Sequence, residues 1–136
     1  MVMGIGLNGV SSRPAIKNIR IEKNIIINPP ALGIFLQSCS GVTLTGDYIY
    51  ADASRTLMSS TGVALDVCSN VVISGLSIDC ERSNISAGIS IAATVASGEN
   101  GVKISGLKAK LPPTATLVLD RRTTAAAETE KLKKSE

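Results

Sequence analysis

Apolar and polar residues alternate through short runs of this chain, and the runs return in the same order. The first kind reads Gly4-Ile5-Gly6-Leu7, Gly33-Ile34-Phe35-Leu36, Gly62-Val63-Ala64-Leu65 and Gly88-Ile89-Ser90-Ile91, with glycines spaced by 29, 29 and 26 residues. A fifth copy, Thr116-Leu117-Val118-Leu119, lacks the glycine. The second kind reads Asn18-Ile19-Arg20-Ile21, Gly41-Val42-Thr43-Leu44, Asn70-Val71-Val72-Ile73 and Gly101-Val102-Lys103-Ile104, spaced by 23, 29 and 31 residues. Three of these copies run on into Thr45-Gly46, Ser74-Gly75 and Ser105-Gly106. Alternation with period two is the mark of a strand with one buried face, and self-similarity at a fixed spacing is the mark of a solenoid.

If each repeat is one coil, equivalent residues stack about 4.8 Å apart. One wall then has inward columns Ile5/Ile34/Val63/Ile89/Leu117 and Leu7/Leu36/Leu65/Ile91/Leu119. A second has Ile19/Val42/Val71/Val102 and Ile21/Leu44/Ile73/Ile104, and a third, beyond the glycine, has Ile26, Ile49, Ile78 and Ala109. These are β-branched residues and leucines, which suit a stacked pleated surface. An antiparallel sandwich also has short strands and turn signals, but it gives no reason for columns to repeat. A leucine-rich repeat would need a helical half that is missing. The pattern places a solenoid over residues 1–120 and a polar tail or marginal helix over 121–136, with Thr124 as its N-cap.

Repeats of the form G-I-x-L followed by N-V-x-I-S-G resemble the right-handed parallel β-helix of the pectin-lyase-like superfamily, from Gly4 to Asp120. The resemblance implies an all-β, right-handed, single-stranded parallel β-helix of about four to five short coils. It also implies a setting among polysaccharide lyases, glycoside hydrolases, periplasmic carbohydrate-binding proteins and viral tailspikes or capsid components. The hydrolases of that superfamily carry N-T-D, paired-Asp, G-H-G and R-I-K motifs, none of which occurs here, and the chain has no histidine. The lyases use an acidic calcium cluster, whereas Asp47, Asp52, Asp66, Asp79, Glu81 and Asp120 fall in different columns. No catalytic residue is assigned.

Length and composition narrow the picture further. A chain of 136 residues is one domain, with a mild net charge of +3. Nucleic-acid binding would call for a basic stripe interleaved with stacking aromatics, and the only aromatic residues are Phe35, Tyr48 and Tyr50. No run approaches the ~20 apolar residues of a membrane span, and no export leader opens the chain. Localisation is left open: either the protein is intracellular or virion-borne, or its export signal lies outside this stretch, as in a segment of a larger exported protein. Gly4-Ile5-Gly6-Leu7-Asn8-Gly9 matches a dinucleotide fingerprint in letters, but turn chemistry follows it where a helix should begin, so no cofactor is expected. Cys39 and Cys68 share a column, as two stacked buried thiols or as a disulfide, and Cys80 lies in another turn. No C-x-x-C spacing supports zinc. Solenoid ends expose strand edges, so flanking coils or a second copy of the chain are expected to cover them.

The outward positions of the third wall form two ladders, Ile25/Tyr48/Ser77/Lys108 and Ile27/Tyr50/Asp79/Lys110. Beside them the loop 51–61 carries Asp52 and Arg55. Aromatic rings stack on sugar C–H faces, and charged groups bond sugar hydroxyls. Tyr48, Tyr50, Asp79, Lys108, Lys110, Asp52 and Arg55 are thus the candidate polysaccharide contacts. The same residues also admit a plainer reading, in which Tyr50 packs on its neighbours and Asp79 pairs with Lys110. The expected function is a non-catalytic scaffold with a carbohydrate-binding face. The alternatives are a piece of a polysaccharide lyase or hydrolase, and a purely structural virion or tailspike segment.

Overall fold

A computed structural model of the chain describes residues 3–9, 15–29, 32–53, 60–81 and 85–122. Eleven strands follow one another: β1 Met3–Asn8, β2 Ile16–Glu22, β3 Ile25–Ile27, β4 Leu32–Thr45, β5 Tyr48–Ala51, β6 Ser60–Ser74, β7 Ser77–Cys80, β8 Ile85–Ile91, β9 Val102–Ser105, β10 Lys108–Lys110 and β11 Thr116–Asp120. Among the described residues the only helical turn is a 3-10 turn at Gly98–Asn100, in the segment that lengthens the last repeat. All strand pairs are parallel. One sheet runs β1-β4-β6-β8-β11 with β2 and β9 attached, and the other runs β10-β7-β5-β3. The chain is a parallel β-solenoid, and its described residues stand five rungs deep on the first wall and four on each of the others.

The columns are those written in the repeat. Ile5, Ile34, Val63 and Ile89 are successive partners, as are Ile19, Val42, Val71 and Val102, and Ile26, Ile49, Ile78 and Ala109. Ile34, Val63, Val71, Ile73 and Ile89 are wholly enclosed. The column ends are less so: Ile104 is half-buried, and Ala109, on the last rung, is exposed rather than packed inside.

Two kinds of position make this stacking possible. At Gly33, Gly62 and Gly88 an added Cβ would lie 2.5, 2.6 and 2.8 Å from the carbonyl oxygens of Gly62, Gly88 and Leu117 on the next rung. Only a residue without a side chain lets the rungs approach there. At the corner after the second wall, Lys23, Gly46, Gly75 and Gly106 all take left-handed backbone, with φ of 54, 66, 68 and 62°. That geometry turns the chain into the third wall. Asn18, Gly41 and Asn70 do the same before the second wall, and Ser38 and Val67 earlier still. Val67 is the unusual member, because a β-branched side chain resists φ of 49°.

One expected register is corrected. In the fifth copy it is Val118, not Leu117, that pairs with Ile89, and Asp120, not Leu119, that meets Ile91. A slip of one residue exchanges the two faces of a strand. Val118 is accordingly buried, while Leu117 and Leu119 are left half-exposed. The turn closed by Ala115 N–H on Pro112 O brings the chain in one residue late. The slip also places Asp120 at the column end, where Arg122 grips it through Nε to Oδ1 at 2.8 Å and Nη2 to Oδ2 at 2.6 Å. Arg122 Nη1 reaches Ala96 O at 2.8 Å, tying the last rung to the segment beneath it. The tail beyond residue 122, with its expected N-cap at Thr124, lies outside the described residues.

The column assignment predicts an asymmetry between adjacent residues. Ile73→Asp should unfold the domain, because it buries an unpaired charge at a site with no exposure. Val72→Asp, 39% exposed, should cost within about 1 kcal/mol in urea denaturation. Equal damage from both would contradict the register.

Burial alone would raise the Asp120 carboxyl, but the hydrogen bonds and charge of Arg122 outweigh it and hold the group below its ordinary value. With the folded value depressed, the stabilisation is complete above the unfolded carboxylate range, near pH 4. It is lost as pH falls through the folded value. Arg122→Ala should cost about 1–3 kcal/mol at pH 7. It should also flatten the loss of thermal stability between about pH 5 and 2, read by calorimetry.

Candidate functional site

The outer face of the third wall is built by pairs that put unlike side chains in register. Ile25, Tyr48, Ser77 and Lys108 are successive partners, and so are Ile27, Tyr50, Asp79 and Lys110. Each of these strands is only three or four residues long. Its outward positions carry no packing duty, because the alternate residues Ile26, Ile49 and Ile78 fill the interior. Ile25 and Ile27 are 69% and 64% exposed, the tyrosines, Ser77 and Asp79 are half-buried, and the two lysines stand in solvent. Along the solenoid axis the face therefore passes from aliphatic to aromatic, then to hydroxyl and carboxylate, then to ammonium.

An open groove of about 730 Å³ lies between the acidic and lysine rungs, lined by Asp79, Cys80, Glu81, Ala109, Lys110, Leu111 and Pro112. Glu81 enters it because the period of two continues one step past Asp79. Glu81 is not among the candidate contacts that the ladders give, although the alternation Ser77, Asp79, Glu81 carries the signal. Glu81 N–H donates to Ala51 O at 2.8 Å, which seats it beside the rung of Tyr50 and Asp52. Glu81, then burial, then Asp52, Asp79 and Tyr48 together push the Tyr50 phenol above its ordinary value. The ring thus keeps its proton and remains a neutral stacking surface with a hydroxyl donor.

The other expected contacts divide. Asp52 is held by Asn28, whose Nδ2 donates to Oδ2 at 3.1 Å and whose Oδ1 accepts from the Asp52 N–H at 2.9 Å. Arg55 lies outside the described residues. Asp79 and Lys110 are register partners, yet among the described residues no ion pair joins them, and both face the groove. Of the plainer reading, the close Asp79–Lys110 ion pair is absent among the described residues, while Tyr50 is half-buried among its neighbours.

Two further carboxylates, Asp47 and Asp66, serve the fold. Asp47 is enclosed at 1% exposure, and its Oδ1 accepts from the Asn24 N–H at 2.9 Å and Nδ2 at 3.1 Å, while Oδ2 is buried without a partner. Asp66 accepts from Thr94 Oγ1 at 2.6 Å and from Gln37 Nε2 at 3.1 Å, which links three rungs on the opposite side. Among the described residues no group of three or more Cys, Asp or Glu is placed to hold a metal ion, and no helix is long and apolar enough to cross a membrane. No protein-family model matches the chain, and neither does any curated protein or any solved structure.

The phenol offers a direct check on this electrostatic picture. Tyr50 should titrate above the usual tyrosine range in a pH series followed by ultraviolet difference absorption, with Tyr48→Phe removing the second phenol. Glu81→Gln should bring the midpoint down toward about 10, because it removes the largest contributor.

Proposed function

We propose that the chain is a non-catalytic β-solenoid scaffold whose third wall presents a carbohydrate-binding face. The observation that carries this reading is the placement of Tyr48 and Tyr50 side by side on one rung, in register with Ser77 and with Asp79, which itself lines the groove of Glu81 and Lys110. Rungs about 4.8 Å apart repeat on the scale of a sugar ring. Neutral phenols supply stacking surface, while the hydroxyl, carboxylate and ammonium groups bond sugar hydroxyls. Kinship with the pectin-lyase-like superfamily belongs to the same proposal and is supported by the G-I-x-L and N-V-x-I-S-G repeats alone. A second reading, a structural segment of a larger virion or tailspike-like assembly, is favoured by Ile25 and Ile27, large apolar side chains in water on the outermost rung of their sheet.

A glycan array followed by calorimetric titration of the best oligosaccharide tests the choice. Tyr50→Ala should weaken binding about tenfold or more, the equivalent of about 1.4 kcal/mol, with unchanged circular dichroism and no cleavage of the sugar. Silence across the array, together with concentration-dependent assembly abolished by Ile27→Lys, would replace this reading with the structural one. Cleavage of a uronate polymer would overturn the non-catalytic assignment.

A further inference from the structure

Two thiols lie one above the other in the middle of the solenoid, and the proposed face makes no use of them. Cys39 and Cys68 are direct partners in the parallel pairing of β4 with β6, at 0% and 1% exposure. Each follows a left-handed corner residue, Ser38 or Val67, so both side chains leave the backbone in the same sense. Cys39 Sγ–H points to Gln37 O at 3.4 Å, and Cys68 Sγ–H has Asp66 O at 3.3 Å and Leu36 O at 3.4 Å within reach. Leu36 belongs to the rung of Cys39, so the Cys68 thiol leans toward its neighbour. Stacked parallel residues have Cα atoms about 4.8 Å apart, within the roughly 4.4–6.8 Å that a disulfide spans. Cys80 sits on the third wall opposite Ala51, in a separate column.

We propose that Cys39 and Cys68 are a site of oxidation by small-molecule disulfides of the oxidised-glutathione class, yielding one disulfide between adjacent rungs. One cysteine thiolate attacks a sulfur of the small disulfide, forms a mixed disulfide and expels one thiolate. The second cysteine attacks the mixed disulfide and expels the other. The two protons lost by the protein end on the two departing thiols, and the protein dithiol is oxidised as the small disulfide is reduced. Burial is the main cause that pushes both thiols upward, Cys68 to about 11. Little thiolate is present at neutral pH, so the exchange is slow in the closed fold and proceeds when the rungs part. The product ties the rung of Tyr48 and Tyr50 to the rung of Ser77 and Asp79, although the chemistry does not depend on what that face binds.

The test unfolds the full chain and its Cys80→Ser variant in urea and refolds them with reduced and oxidised glutathione, so that access does not limit the reaction. Peptide mapping without reductant should find Cys39 joined to Cys68 as the main product, with the protein mass lower by about 2 Da. The cross-linked protein should keep its β-rich circular dichroism and melt about 5 °C or more above the reduced form. Cys39→Ser and Cys68→Ser should each show neither the mass loss nor the gain in Tm. Refolded protein whose two thiols stay reduced, carry glutathione, join Cys80 or join another chain would overturn the proposal. So would a cross-linked form that melts below the reduced one. If Cys80→Ser fails to refold, the unsubstituted chain, mapped in the same way, decides the matter.

Discussion

A carbonyl oxygen of the next rung lies 2.6 Å from where a side chain at Gly62 would begin, and the same crowding recurs at Gly33 and Gly88. Everything else in the solenoid is compatible with that closeness or is arranged around it. Parallel pairing needs the backbones at hydrogen-bonding distance along the whole rung, and the tightest point decides whether they can get there. Ile49 and Ile78 pack against the same column from the third wall, so the glycines serve both the ladder and the core. Once the rungs close, each inward residue has its counterpart above and below, and a β-branched or leucine side chain repeated in register fills the interior without voids.

This explains why so much of the architecture was legible beforehand. A column of like residues is written into the chain at the spacing of one coil, and Ile34, Val63 and Ile89 or Val42, Val71 and Val102 could be read as stacked from the letters alone. Legibility failed where the local pattern and the tertiary constraint disagree. In Thr116 to Leu119 the alternation points Leu117 and Leu119 inward, whereas the Pro112–Ala115 turn and the Arg122 ion pair favour Val118 and Asp120. Asp47 was invisible for another reason. Its role as acceptor for Asn24 depends on a side chain 23 residues away that has no periodic partner of its own kind. The corners were half visible, since Gly46, Gly75 and Gly106 announce left-handed turns, while Lys23 and Val67 take the same geometry without a residue type that favours it.

The outermost described rungs are unlike. At one, the column of Ile89 and Ile91 is finished by Val118 and by Asp120 locked to Arg122, and Arg122 spans back to Ala96. A charge placed under a hydrophobic column is costly unless its hydrogen bonds are met, and here a bidentate guanidinium meets them. At the other end, β3 ends its sheet with Ile25 and Ile27 facing outward. The contrast matters for any partner. A column finished by a satisfied ion pair offers water a polar group, whereas exposed isoleucines on an outermost strand offer a partner apolar area and a backbone to pair with.

The face of the third wall follows from the same constraint, seen from outside. Inward positions are held to aliphatic residues by their neighbours above and below, but outward positions answer only to solvent. Repetition accordingly lapses there, and Ile25, Tyr48, Ser77 and Lys108 share a column with nothing chemical in common. In a stacked fold such a lapse is where chemistry can enter without cost to the core. The candidate site, taken with Glu81 and the groove beside it, is a stretch of this solenoid where neighbouring rungs carry unlike side chains while their backbones stay in strict register. Under the proposed function, specificity would be set by which residue occupies each rung of a face whose spacing the core has already determined.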